Sequence, residues 1–137
     1  MRSYSTRIHA TAVADAHVSA ERTFSGAVII RISGEIDATN ALDVWSSLAP
    51  HLETGGPRIF DLTGITFLGV SGAEVLLRAG DRLMEHGTRF ATVGSRAVRH
   101  LLCAAELDEK LNVMRGVSDA VHKLSHDPTV QVLEQTS

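Results

Sequence analysis

Apolar and polar positions along this chain follow two periods, and the switches between them mark its elements. Val18 to Thr23 and Ala27 to Ser33 (AVIIRIS) predict two strands joined by a turn at Ser25-Gly26. The second is almost continuously apolar, which predicts a central position in a sheet. Gly34-Glu35-Ile36-Asp37 closes it and opens a helix whose buried face is Ala41, Leu42, Trp45, Leu48, Ala49 and Leu52, with Asp37 or Thr39 as N-cap. Gly55-Gly56-Pro57 stops that helix, and Arg58 to Leu62 (RIFDL) is the next strand. A second helix begins at Ser71. Its apolar stripe is Ala73, Leu76, Leu77, Gly80, Leu83 and Met84, opposite Glu74, Arg78, Asp81, Arg82 and Glu85. Val75 falls with the polar set and is expected to face outward. Arg89 to Val93 is a strand, and Ser95 caps a third helix with Val98, Leu101, Leu102 and Ala105 inside. Leu111 to Met114 and Ser118 to Ser125 complete the series as a short strand and a last helix.

The order β β α β α β α β α predicts an α/β domain. Its sheet is mostly parallel, with the first strand paired antiparallel through its hairpin. Residues 18–125 are the expected domain. Residues 1–17 are an extension, either loosely ordered or adding one edge strand, and residues 126–137 are a tail. A chain of 137 residues suits one domain. The net charge of −3, with eleven scattered arginines and only Lys110 and Lys123 as lysines, excludes a nucleic-acid footprint. Cys103 is the single cysteine, which predicts a reducing compartment. No apolar run reaches the roughly 20 residues of a membrane span, and the N-terminus has no signal-peptide core. A soluble cytoplasmic protein without membrane insertion is the expectation.

Candidate chemistry concentrates in DLTGITFLGVSGAEVLL, residues 61–77, where a strand runs through a short loop into a helix N-terminus. Such a junction gathers unpaired backbone N–H groups and partial positive charge. Gly64 to Ser71 nearly fits a phosphate-binding loop, but Val70 occupies the lysine position. Gly69-Val70-Ser71-Gly72-Ala73 approximates a nucleophile elbow, with Asp108 and His122 following in hydrolase order. Against a serine hydrolase through Ser71 stand the short chain, Ala73 in the last glycine position, and Ser71-Gly72-Ala73-Glu74 as a capping box.

Four segments in order carry a family resemblance: GEID at 34–37, IFDLTGITFLGVSG at 59–72, the helix that follows, and VGSRAVRHLLCAAELDEKLNV at 93–113. Over roughly residues 18 to 125 the chain resembles a STAS domain of the bacterial anti-sigma-factor antagonist family. The resemblance implies a small mixed, mostly parallel sheet of four to five strands with about four helices. It also implies a non-enzymatic switch that captures an anti-sigma factor of the serine-kinase type and so releases a sigma factor. In that family the loop usually reads Asp-Ser-Ser/Thr-Gly, and its first serine is phosphorylated by the anti-sigma factor, which ends the capture. Here Gly69 stands in the aspartate position and Val70 in that of the phosphoserine. Valine has no hydroxyl, so binding is not expected to be controlled by phosphorylation there. Ser71 matches the second serine or threonine and is a candidate displaced phosphoacceptor.

The implied partner surface comprises Asp37, Thr39, Gly69, Val70, Ser71, Gly72, Val75 and Arg78. The family includes a second expectation, a STAS scaffold subunit of a stress-signalling or membrane-transport complex. Oligomeric state is open, a homodimer being one option. Other residues point to packing or solvent. Glu35, Asp37 and Asp61 at strand ends read as caps and solvated acids, and Asp61 lacks the acidic pair and lysine of a phospho-aspartate site. His122 and His126 share a helical spacing without a third ligand, so no metal or cofactor is expected. Cys103 reads as a semi-buried thiol beside the apolar face of the third helix, and Trp45 as core packing.

Overall fold

The computed structural model describes residues 5–23, 25–53 and 55–125. Its strands are β1 (Ser5–Val13), β2 (Ala16–Thr23), β3 (Val28–Ile36), β4 (Arg58–Leu62), β5 (Ile65–Leu68), β6 (Phe90–Gly94) and β7 (Val113–Met114). Its helices are α1 (Ala41–Leu48), continued by a 3-10 turn at Ala49–Leu52, then α2 (Val70–Glu85), α3 (Arg96–Ala104) and α4 (Val117–Ser125). The sheet runs β1-β2-β3-β4-β6-β7, with β5 on β3 beyond the end of β4. The β1–β2 and β2–β3 pairs are antiparallel and the other pairings parallel.

The described strands number seven, against an expectation of four to five. β1 is the edge strand held open for the N-terminal extension. β5 lies inside what reads as a loop, because only Ile65 and Leu68 of its four residues are buried and no alternation marks it. The expected tail lies outside the described residues.

Two apolar layers sandwich the sheet. The larger joins Val18, Ile30, Ile32, Ile36, Phe60 and Leu62 to α1, α2 and α3. On the opposite face Ile29, Ile59, Ala91 and Val93 pack under Ala120 and Leu124 of α4. Strands covered on both faces explain the continuous apolar runs of β3, β4 and β6.

The helices sit rotated from their expected phase. In α2 the buried set is Gly72, Val75, Leu76, Ala79, Gly80 and Leu83, and Met84 is 66% exposed. Val75 therefore faces the core, which corrects its expected outward orientation. The cause is close approach: a β-carbon on Gly80 would stand 2.9 Å from the Phe90 ring. One on Gly72 would stand 2.6 Å from Leu68. The helix seats on its smallest residues, which a hydrophobicity-weighted stripe undervalues. In α1 the buried residues are Val44, Trp45 and Leu48, while Leu42, expected inside, is 74% exposed. Cys103 is exposed, not semi-buried.

Gly34 shows how tightly the GEID segment is held. Its φ is +91° near the end of β3, opposite Ala16, and the next amide, Glu35 N–H, donates to the Asp15 carbonyl at 2.8 Å. A β-carbon at Gly34 would lie 2.2 Å from that carbonyl oxygen. Only glycine meets both conditions. Gly34→Ala is expected to destabilise the fold by about 2–4 kcal/mol in urea titration, from backbone strain and overpacking together. A loss below about 0.5 kcal/mol would show that the β1–β2 turn yields easily.

Candidate functional site

Two chain segments leave the sheet side by side. Ile36, at the end of β3, pairs with Leu68, at the end of β5. The next amide, Gly69 N–H, donates to the Ile36 carbonyl at 2.9 Å. A β-carbon on Gly69 would stand 3.8 Å from Asp37 Cα, so the Asp37–Thr39 turn and the start of α2 are in contact. The structure thus brings together Asp37, Thr39, Gly69, Val70, Ser71 and Gly72. Val75 is buried beneath them. Arg78 lies two helical turns along α2, its guanidinium stacked 4.2 Å above the Trp45 ring. Trp45 is the expected core residue, and it also holds this arginine.

The turn is built by two side chains. Asp37 Oδ1 accepts from the Thr39 backbone N–H at 2.8 Å and from the Thr39 hydroxyl, so Asp37 and Thr39 form their own Asx-type turn. Neither caps α1, which corrects the expected role. The N-cap is Asn40, and its side chain has other work. Buried Asn40 accepts from Asp37 N–H at 3.0 Å and donates to the carbonyls of Ala14 at 2.6 Å and Glu35 at 2.8 Å. It ties the turn to the β1–β2 hairpin. The pattern of apolar positions passes over this residue; an asparagine just ahead of a helix is the only signal that marks it.

The Thr39 hydroxyl and backbone amide hold the Asp37 carboxyl below the ordinary value of 3.8. A depressed carboxylate pKa stabilises the fold above the unfolded value, and that contribution is lost as pH falls through the folded one. Thr39→Val is expected to raise the Asp37 midpoint towards 3.8, read by carbon-detected NMR titration of the side-chain carboxyl. An unchanged midpoint would mean that the backbone amide alone holds it.

Helix α2 starts at Val70, with Gly69 as an extended N-cap and no side-chain cap. The expected capping box is therefore absent: Ser71 sits inside the first turn, where its hydroxyl cannot close the helix end. The first-turn amides have no acceptor within the helix, and no acidic residue lies among them. Ser95 does cap α3, accepting from Val98 N–H at 3.2 Å. In thermal unfolding, Ser95→Ala is expected to cost about 1 kcal/mol and Ser71→Ala less than about 0.5 kcal/mol. Equal costs would restore the capping role of Ser71.

The other chemistries read from this loop lose their geometry. Residues 65–68 are strand β5, hydrogen-bonded to β3, and cannot wrap a phosphate. Ser71 is on α2 and His122 on α4, which pack on opposite faces of the sheet, so no relay from Ser71 through His122 forms. Asp61 is engaged by Arg31 Nε at 3.2 Å and by the Thr63 amide and hydroxyl at 3.0 and 2.7 Å, apart from Glu35 and Asp37. No group of three or more His, Cys, Asp or Glu among the described residues could hold a metal. No described helix is long and apolar enough to cross a membrane. His126 lies outside the described residues.

At the tip of the site, Val70 is 80% exposed and the Phe67 ring 51%. Phe67 is the second residue that sequence reasoning missed, because an aromatic in an apolar loop is expected to tuck inward.

A family model described as the STAS domain matches residues 20–120. The fold is similar to that of an anti-sigma factor antagonist from Mycobacterium paratuberculosis, with TM-score 0.67 and 20% identity, over 88% of this chain and 94% of that one. It is also similar to an anti-sigma-factor antagonist (STAS) domain protein from Planctomyces limnophilus, with TM-score 0.65 and 21% identity, over 78% and 96%. Part of the murine solute carrier 26 family member A9 anion transporter matches at TM-score 0.62 and 17% identity, over 74% of this chain and 18% of the transporter. At these identities the likeness is one of fold. No curated protein matches the sequence.

Proposed function

This chain belongs to the STAS-domain family, and we propose that within it the protein is a non-enzymatic, protein-binding regulator that captures a serine-kinase-type anti-sigma factor in the cytoplasm and so releases a sigma factor. The observation that carries the reading is the position of Val70. It is the first residue of α2, 80% exposed, beside the Asp37–Thr39 turn, in the place the family resemblance assigns to the phosphorylated serine. An exposed branched apolar residue at a helix start has little stabilising role in the free protein. Against a fitted partner it would bury its whole side chain, a gain of about 1.5–3 kcal/mol. A valine cannot accept a phosphate, so capture through this loop is independent of phosphorylation at that position. Ser71 is the remaining hydroxyl of the loop. A phosphate there would meet the unpaired first-turn amides of α2, which favour it, while placing bulk and charge inside the contact.

Likeness to the transporter's fold supports a second reading, a STAS subunit of a membrane-transport or stress-signalling assembly. The two separate in one experiment, affinity capture from native cytosol and from detergent-solubilised membranes with wild type, Val70→Asp and Ser71→Asp. Wild type is expected to recover a kinase-type anti-sigma factor from cytosol, and Val70→Asp to bind it at least about tenfold more weakly, as for a central contact residue. Ser71→Asp reports on the displaced phosphoacceptor, since Ser71 is not the helix cap. Recovery of transporter subunits alone would favour the second reading. Equal binding by all three proteins would remove the loop from the interface.

A further inference from the structure

We propose that Phe67, with Val70 beside it across Gly69, is the apolar anchor of the capture surface, and that the surface takes a partner protein whose apolar socket is rimmed by arginine or lysine. The inference rests on the antagonist reading and specifies what its partner must present. Among the described residues the large exposed hydrophobic side chains are Leu42, Phe67, Val70, Met84 and Leu101. Two of these five, Phe67 and Val70, stand on either side of Gly69 where β5 runs into α2. Phe67 pairs opposite Glu35, and Val70 opens α2. Single exposed apolar residues are ordinary, but two adjoining ones beside the Asp37–Thr39 turn mark a contact.

Gly69 shapes the anchor. A β-carbon there would stand 3.3 Å from Phe67 Cε2, so any larger residue would press on the ring. Glycine leaves the ring lying along the bare helix start with half its surface in solvent. The glycine that replaces the family's aspartate therefore exchanges a charged loop tip for an aromatic one.

Charge defines the rim. Exposed Glu35 pairs opposite Phe67, exposed Glu74 lies one turn along α2 from Val70, and Asp37, its carboxyl held below its ordinary pKa by Thr39, lies against the start of α2. Residues 32–57 and 59–77 contain no lysine or arginine, and the guanidinium of the nearby Arg78 is stacked on Trp45. An apolar centre within a ring of carboxylates is complementary to an apolar socket within a ring of basic side chains.

The test is calorimetric titration of the purified kinase-type anti-sigma factor of the same cell with the full chain, at 50 and 500 mM sodium chloride. Wild type, Val70→Asp, Phe67→Ala, Phe67→Leu and Met84→Ala are compared, with thermal unfolding of each recorded alongside. Phe67→Ala is expected to weaken binding at least about thirtyfold, and Phe67→Leu less than Phe67→Ala. Met84→Ala, exposed elsewhere on α2, should stay within about twofold of wild type, and wild-type affinity should fall severalfold at the higher salt. If Val70→Asp abolishes binding while Phe67→Ala binds within about threefold of wild type, the antagonist reading stands and the anchor is wrong. Equal weakening by Phe67→Ala and Met84→Ala, or affinity indifferent to salt, also overturns the anchor or its rim. If wild type does not bind the factor at all, the antagonist reading fails and this inference fails with it.

Discussion

The parallel register that sets Ile36 beside Leu68 is the constraint on which the site depends. It aligns the ends of two strands so that the Gly69 amide can reach the Ile36 carbonyl, and it starts both following helices from one edge of the sheet. Pairing β5 with β3 beyond the end of β4 gives a short strand an anchor its own four residues could not supply. Gly34 makes the register possible from the other side. Its left-handed φ accommodates the Asp15 carbonyl, and Asn40 then fixes the turn to the same hairpin through Ala14. The candidate surface is thus a property of main-chain geometry first and of side chains second.

The two core layers have different relations to this surface. The larger, under α1 to α3, fixes the helices whose N-termini form it, and small residues at positions 72, 79 and 80 bring α2 down onto the sheet. The smaller, under α4, covers the opposite face and contributes none of the expected contact residues. Arg31 bridges Glu21 and Asp61 across three neighbouring strands, which occupies the acid that would otherwise suggest chemistry at the end of β4. The bare amides at the start of α2, the Asp37 carboxylate held by Thr39 and the exposed Phe67 and Val70 lie where β3 and β5 end.

Much of the fold was legible in the chain because its signals are local. The strand Arg58–Leu62 stands where its apolar run placed it, the Ser95 cap is formed, and the hairpin around Gly26 precedes a central β3. The segments that meet at the site were legible as well, because glycines and polar turn residues punctuate them. What escaped was set by neighbours. Val75 and Leu42 exchanged sides because helix rotation answers to close packing, and Ser71 lost its cap role because the helix is capped two residues earlier, at Gly69. Asn40 and Phe67 were missed because one is a polar residue used inside and the other an aromatic left outside.

The sequence by itself determined the succession of strands and helices, the mixed sheet with its antiparallel start, the family pattern, and the absence of a hydroxyl at position 70, since each is written in residue type and spacing. Only the tertiary structure decided which face of each helix is buried, that residues 65–68 form a strand, and that the Asp37 turn touches the start of α2. Those features depend on backbone approach and register between segments some thirty residues apart in the chain. Local propensity carries no information about such distances.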